Sequence, residues 1–220
     1  MARPALPVGI AAAALAVAVL ACLSVAYGST VIPFSDVLTA LGRAAGVVVD
    51  GGARPIDRIV VHFRLPRAIL AIAVGAGLGV VGLLLQTVTR NDLADPFLFG
   101  LSAGAAAGAV AVITRIGDAF GVLTLPIAAF VGGMCATLAV LLLIRRAGSR
   151  GPERLILAGL AVSFLFTALT NYLVFSGDQR AAHSVLFWTM GGLGLASWQN
   201  IGIGLSGAVL ATGYALLQHR

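Results

Sequence analysis

The stretch Ala68–Val88, AILAIAVGAGLGVVGLLLQTV, holds 21 consecutive residues without a charge. A hydrocarbon core about 30 Å thick needs roughly 20 apolar residues when the segment is helical. Lipid offers no water to the backbone N–H and C=O groups, so such a segment must satisfy them within itself, as a helix does. The run is continuous rather than alternating, which argues against a strand of a membrane barrel. Five further stretches meet or approach the same length: 8–27, 97–113, 122–144, 155–175 and 198–217. The predicted fold is therefore all-α, a polytopic transmembrane bundle of six helices. The third stretch is short, as suits a helix packed inside a bundle. The first carries Cys22 after Val19-Leu20-Ala21, which resembles a lipoprotein cleavage site. More membrane sequence follows it instead of a soluble cargo, so it reads as a retained helix.

Composition supports the same class. Of 220 residues, 60% are hydrophobic and only 10% charged, with a mean hydropathy of +1.04. A soluble domain carries about a quarter charged residues, so a soluble globular fold and a disordered tail are excluded. Twenty-eight glycines fit close helix approach in lipid, where small residues admit neighbouring backbones. All 14 basic residues are arginine. With apolar sequence between them, they read as loop and headgroup residues rather than as a nucleic-acid surface. Cys22 and Cys135 lie inside apolar runs and read as packing residues, implying neither a disulfide nor a metal.

Charge does not orient the bundle. With the N-terminus inside, the inner arginines are Arg3, Arg90, Arg145, Arg146, Arg150, Arg154 and Arg220; the outer ones are Arg43, Arg54, Arg58, Arg64, Arg67, Arg115 and Arg180. The positive-inside tally is level, and the cluster 145–154 tips it only slightly inward. The long polar connection over 28–63 holds Ser35-Asp36, read as the N-cap of a short amphipathic helix. The stretch Ala181–Gly194, broken by three glycines and carrying Trp188, reads as an interfacial or re-entrant piece, with Trp188 and Trp198 at headgroup level. No repeat of 20–50 residues is visible.

Two motifs match by accident. Gly77–Gly82 satisfies G-x-G-x-x-G, but it sits within an apolar span where no pyrophosphate reaches; close packing explains it better. Gly100–Gly104 satisfies G-x-S-x-G, but His62, His183 and His219 all lie near span ends or in loops, away from mid-span. The spacing of those histidines is also unsuited to a metal site. No catalytic residue and no metal ligand set emerge, and no G-x-x-x-x-G-K-[ST] loop is present.

One constellation is ordered. In the block Phe63–Ala105, Arg64 and Arg67 bracket Pro66, and a span with Gly75, Gly79 and Gly82 ends in Gln86. The break R-N-D-L-A-D-P follows, and then Gly100, Gly104 and Ala105. Pro66 near a first turn costs nothing there, because its missing N–H would have no partner. Asp95 before Pro96 places a carboxylate at the positive end of a helix. Asn91–Pro96 thus reads as a tight turn joining two closely packed helices.

This block resembles the FecCD-type permeases, membrane subunits of ABC importers for ferric siderophores, haem and vitamin B12. The shared pattern is R-x-P-R, G-x-x-L-x-x-x-G-x-x-x-Q, R-N-P-L-A-x-P and L-G-x-x-x-G-A. It is met at Arg64, Pro66, Arg67, Gly75, Leu78, Gly82, Gln86, Asn91, Leu93, Ala94, Pro96, Gly100, Gly104 and Ala105. The sequence departs from it at Asp92 and Phe99. Leu155–Ser163 resembles the family's fifth-helix opening, and Val185–Gly192 with Trp198 its approach to the sixth.

The resemblance implies a cytoplasmic N-terminus, an outer loop over 28–63, and a bacterial inner (plasma) membrane location. It implies a pore formed with a second permease subunit, identical or not, an ATPase subunit that binds ATP in place of any cofactor here, and an extracytoplasmic binding protein. It places Arg64 and Arg67 outside, paired with carboxylates of that binding protein, a task suited to guanidinium. It also implies that residues 1–220 are the N-terminal part of a single permease domain, truncated or split after the sixth helix. On the fifth span Gly159, Ser163, Thr167, Thr170 and Asn171 recur at helical spacing; this stripe reads either as pore wall or as helix-packing seam. A membrane enzyme or an ion-coupled secondary transporter would usually show polar or acidic groups within spans, and these spans have no charge.

Overall fold

The computed structural model describes residues 5–48, 54–92, 94–117, 119–146, 152–177 and 179–217. Arg3, Leu93, Arg150, His219 and Arg220, named above, lie outside the described residues. All regular structure among the described residues is helical. The chain divides into two compact units, residues 1–79 with 193–220 and residues 80–192.

The first unit begins with α1 (Ala5–Ala26), apolar on every side, as suits a helix surrounded by lipid. The amphipathic α2 (Phe34–Ala44) follows. It starts one residue before the expected cap. Pro33 is the N-cap, and its carbonyl takes the Asp36 and Val37 N–H groups. Ser35 thus lies inside the first turn, where its carbonyl accepts from Thr39 Oγ1 at 2.7 Å. Val37 and Ala40 are buried with Val25, Ala26, Ile32, Val60 and Ala68 in one cluster.

Next come α3 (Pro55–Arg58), a π-helical turn over Ile59–Arg64 and α4 (Leu65–Thr89). They run together as 35 helical residues, more than the roughly 20 a bilayer core requires. The apolar run 68–88 puts the excess at the N-terminal end. The last element of this unit, α9 (Ile201–Leu217), packs on α4. Leu70 closes over Gly204, and Gly77 lies against Ala208, where an added Cβ would come within 3.4 Å of the Ala208 Cα. This helix starts at Ile201 rather than 198, because Ser197–Asn200 is a turn in which Asn200 Oδ1 accepts the Ser197 N–H at 2.8 Å.

The second unit opens with the end of α4 and a turn, followed by a 3-10 turn (Pro96–Phe99) and α5 (Leu101–Ala111). A π-helical turn (Val112–Ile116) and a second 3-10 turn (Gly121–Leu123) lead to α6 (Thr124–Arg146), α7 (Pro152–Ser176) and α8 (Gln179–Thr189). The core is Ala136, Val140 and Val162, with Phe99, Leu155 and Phe166 around it. Within the second unit α5 packs on α6 and α7. The reason lies in the glycines. A Cβ on Gly104 would strike the Gly132 carbonyl, and one on Gly108 the Ala128 carbonyl. Only hydrogen at these positions lets two backbones approach so closely.

The stretch read as broken is helical as far as Thr189. The glycines come after it, with Gly191 at φ 73° and Gly192 at φ 137°, conformations that glycine adopts without steric cost. On the outside, Leu15, Leu83, Phe130, Leu142 and Leu165 are all more than half exposed. In water that would be a severe penalty; facing hydrocarbon it costs nothing, since lipid tails are as apolar as leucine.

Candidate functional site

Two regions hold the residues singled out in the sequence: the helical stretch 55–67 in the first unit and α7 in the second. The two arginines that bracket Pro66 meet different fates. Arg64 is buried. Its Nη1 donates to the carbonyls of Val25 and Ala26, each at 2.8 Å. Its Nη2 donates to the Thr30 carbonyl and, at 3.1 Å, to Thr30 Oγ1. The last carbonyls of a helix have no helical partner, and a guanidinium fork at the negative end of the helix dipole meets both needs. Gly28 leaves room for it, since a Cβ there would lie 3.0 Å from Nη2. Arg64 is thus turned inward, away from the surface position expected of it, because α1 ends in carbonyls that need a donor. Arg67 is exposed and makes one long contact, Nη2 to the Gly194 carbonyl at 3.4 Å. Its guanidinium is open to an incoming carboxylate.

Pro66 is not at a first turn, because the helix extends back to Pro55. In the π-helical turn the Leu65 N–H bonds to the Val60 carbonyl, five residues back. In the same register Val61 would accept from residue 66, but proline has no N–H. Trp198 supplies the missing donor: its Nε1 reaches the Val61 carbonyl at 2.9 Å. Its indole thus satisfies the helix that Pro66 interrupts. Just ahead, Arg43 Nη1 contacts both Asp57 oxygens at 3.0 Å, and the Arg54 N–H donates to Asp57 Oδ2 at 2.9 Å. This buried strut ties α2 to α3. On the opposite, exposed side, Pro55, Arg58, Ile59, His62 and Phe63 line an open groove of about 530 Å³.

The small-and-polar stripe of α7 does not stay on one surface. Gly159 is buried and Ser163 half-buried; Ser163 Oγ donates to the Gly159 carbonyl at 2.8 Å. Both face Gly100, whose φ of 71° turns the chain into α5; a Cβ on Gly100 would lie 3.4 Å from Ser163 Oγ. Thr170 is half-buried and donates to the Phe166 carbonyl at 2.9 Å. Thr167 and Asn171 are exposed. Steps of four residues advance about 40° around an α-helix, so the stripe winds from a packed seam to an open face.

The turn motif closes on itself. The Asn91 N–H donates to the Gln86 carbonyl at 3.1 Å, and Gln86 Nε2 to the Asp92 carbonyl at 3.1 Å. The Phe97 N–H donates to Asp95 Oδ1 at 2.7 Å, with Pro96 beginning the 3-10 turn. Gly75, Gly79 and Gly82 differ from Gly104: an added Cβ on any of them would have no neighbour within 4 Å. Ser102 is exposed, and His183 lies beside Phe187 with ring centroids 4.7 Å apart and the planes tilted by 58°. No group of three potential metal ligands occurs among the described residues. Sequence reading missed the Trp198–Val61 bond, the groove at 55–63 and the cap that Arg115 places on Ser176 at 2.7 Å. A proline deep in a long helix was the one available signal for the first.

The model of the FecCD transport family matches residues 15–220. The chain belongs to that family. It is 40% identical over 141 residues to the achromobactin transport system permease protein CbrC of Dickeya dadantii, covering 64% of this chain and 40% of that protein. It is 42% identical over 146 residues to the Fe(3+)-citrate import system permease protein YfmE of Bacillus subtilis, covering 65% and 42%. It is also 37% identical over 159 residues to the cobalamin import system permease protein BtuC of Halobacterium salinarum, covering 72% and 42%. The chain thus spans less than half the length of these relatives. A solved inward-facing conformation of a metal-chelate type ABC transporter superposes with a TM-score of 0.73 over 96% of this chain and 62% of that one, at 24% identity. That likeness shows the fold, a multi-pass membrane helix bundle.

Proposed function

We propose that the chain is a permease subunit of a binding-protein-dependent ABC importer for ferric siderophore, haem or cobalamin-type chelates. The observation that carries this reading is the family match over residues 15–220. The subunit pairs with a second permease copy or homologue to form the pore, in the bacterial plasma membrane with its N-terminus cytoplasmic. ATP is bound and hydrolysed by a separate ATPase subunit, whose closure drives alternating access. Exposed Arg67 supports the docking of an extracytoplasmic binding protein, while Arg64 acts by holding the end of α1 in place. Thr167 and Asn171 are the members of the α7 stripe available to a pore wall. Gly159 and Ser163 form its packed base.

Cells or proteoliposomes that carry the complete importer containing this chain should take up a ferric chelate or cobalamin only while ATP is hydrolysed. Uptake that continues without ATP would replace this reading with an ion-coupled secondary transporter.

A further inference from the structure

We infer that Arg145 and Arg146, in the last turn of α6, form a binding site for the headgroup of an anionic phospholipid. Such a site does not depend on what the chain transports; only its assignment to the cytoplasmic leaflet comes from the topology proposed above.

Depth selects the ligand. Thr124–Ile144 carries no charge and rises about 30 Å as a helix, the thickness of a hydrocarbon core. With that stretch in the core, the two guanidinium groups stand at the level of the lipid phosphates. They also continue an apolar face. Leu138, Leu141 and Leu142 are half exposed or more. Leu142 precedes Arg145 and Arg146 by three and four positions, a spacing that one helix face brings together. Both arginines are themselves exposed.

Other arginines of the chain are engaged from within. Arg64 closes α1 through the Val25 and Ala26 carbonyls. Arg115, at the opposite end of the second unit, donates to the Ser176 carbonyl at 2.7 Å. Arg145 and Arg146 make no hydrogen bond or ion pair with a described residue, although the end of the helix dipole favours their charge. The sequence also supplies few acids to neutralise them. Arg145, Arg146, Arg150 and Arg154 stand against Glu153 alone over 145–154. Phe99, Ile144 and Leu155 pack on one cluster, which brings the turn with Arg90, Asp92 and Asp95 to the same end of the unit. Five arginines there face three carboxylates, so the end stays cationic.

A guanidinium fork matches phosphate oxygens, and each arginine near an anionic leaflet adds to the attraction. A phospholipid offers what a free anion lacks: acyl chains that lie along Leu138, Leu141 and Leu142.

The test purifies the full chain in dodecyl maltoside and adds equal amounts of phosphatidylglycerol and phosphatidylcholine with the same acyl chains. Native mass spectrometry reads the lipid retained. The wild-type chain should prefer phosphatidylglycerol, and Arg145→Gln and Arg146→Gln should each lower that preference about fivefold. Arg145→Lys with Arg146→Lys should keep most of it. Melting in phosphatidylcholine should be unchanged in the Gln variants, while the rise in midpoint on adding phosphatidylglycerol is lost. No preference in the wild-type chain, or an undiminished one in the Gln variants, would overturn the site. An equal loss in Arg67→Gln would overturn it too, by showing attraction to charge in general. Displacement of phosphatidylglycerol by inorganic phosphate, at an ionic strength where chloride displaces none, would make it a site for a free anion. Gln variants that keep the lipid and lose only binding of the ATPase subunit would make it a protein contact. Either result overturns the lipid site.

Discussion

Arg64 donates to the Ala26 carbonyl at 2.8 Å, so an arginine from one helical stretch closes the C-terminus of another that lies 38 positions earlier in sequence. The bond explains why a charged residue is buried beside a membrane span: it satisfies carbonyls that α1 leaves without partners.

Replacing Arg64 with Ala should destabilise the chain by about 2–3 kcal/mol, because buried acceptors lose a charged donor. Lysine should recover part of this, having charge but no fork. Gly28→Val should mimic the loss by displacing the guanidinium. Thermal melting in detergent reads all three; an unchanged midpoint for Arg64→Ala would show that water serves these carbonyls as well.

Trp198→Phe should cost about 1 kcal/mol, since the Val61 carbonyl loses its donor. Pro66→Ala restores a backbone N–H in the register of that carbonyl. The cost of Trp198→Phe should therefore shrink in the Pro66→Ala background, giving a coupling of about 1 kcal/mol in a double-mutant cycle. Additive effects would show that the indole acts by packing alone.

Glycines of one sequence pattern should separate by what faces them. Gly104→Ala places a methyl against the Gly132 backbone and should destabilise the second unit by about 1–3 kcal/mol. Gly79→Ala meets open space and should stabilise its helix by about 0.5–1 kcal/mol in the isolated chain. Equal effects, measured by melting, would contradict the close approach of α5 and α6.

The stripe on α7 should divide in the same way. Ser163→Phe should lower stability, because the ring enters the space beside Gly100. Thr167→Trp should leave the melt unchanged and lower chelate uptake several-fold if that face lines the pore. Normal uptake by a well-folded Thr167→Trp protein would remove Thr167 from the pore wall.

The span pattern was legible in the sequence because hydrocarbon imposes a length and forbids unpaired backbone, and both are properties of a single segment. The turn from Gln86 to Phe97 was legible for the same reason: its donors and acceptors lie within a dozen residues of one another. Helix starts were legible to about two to four residues, except that the helical stretch containing α4 runs back to Pro55. Sequence also identified Arg64, Pro66 and Arg67 as a unit, but it gave the two arginines one role. Their difference depends on where the last carbonyls of α1 lie in space.

Residues 61 and 198 are 137 positions apart, and no local pattern relates an indole N–H to a carbonyl left bare by Pro66. Likewise Gly75 and Gly104 sit in the same spacing, yet only the second has a neighbour close enough to require hydrogen. By itself the sequence determined which segments are apolar helices and where the chain turns between them, since those follow from the solvent each residue prefers. Only the tertiary structure decided which arginine is structural, which glycines are contacts and which face of α7 is open. Those depend on distances between segments, which periodicity within one segment does not encode.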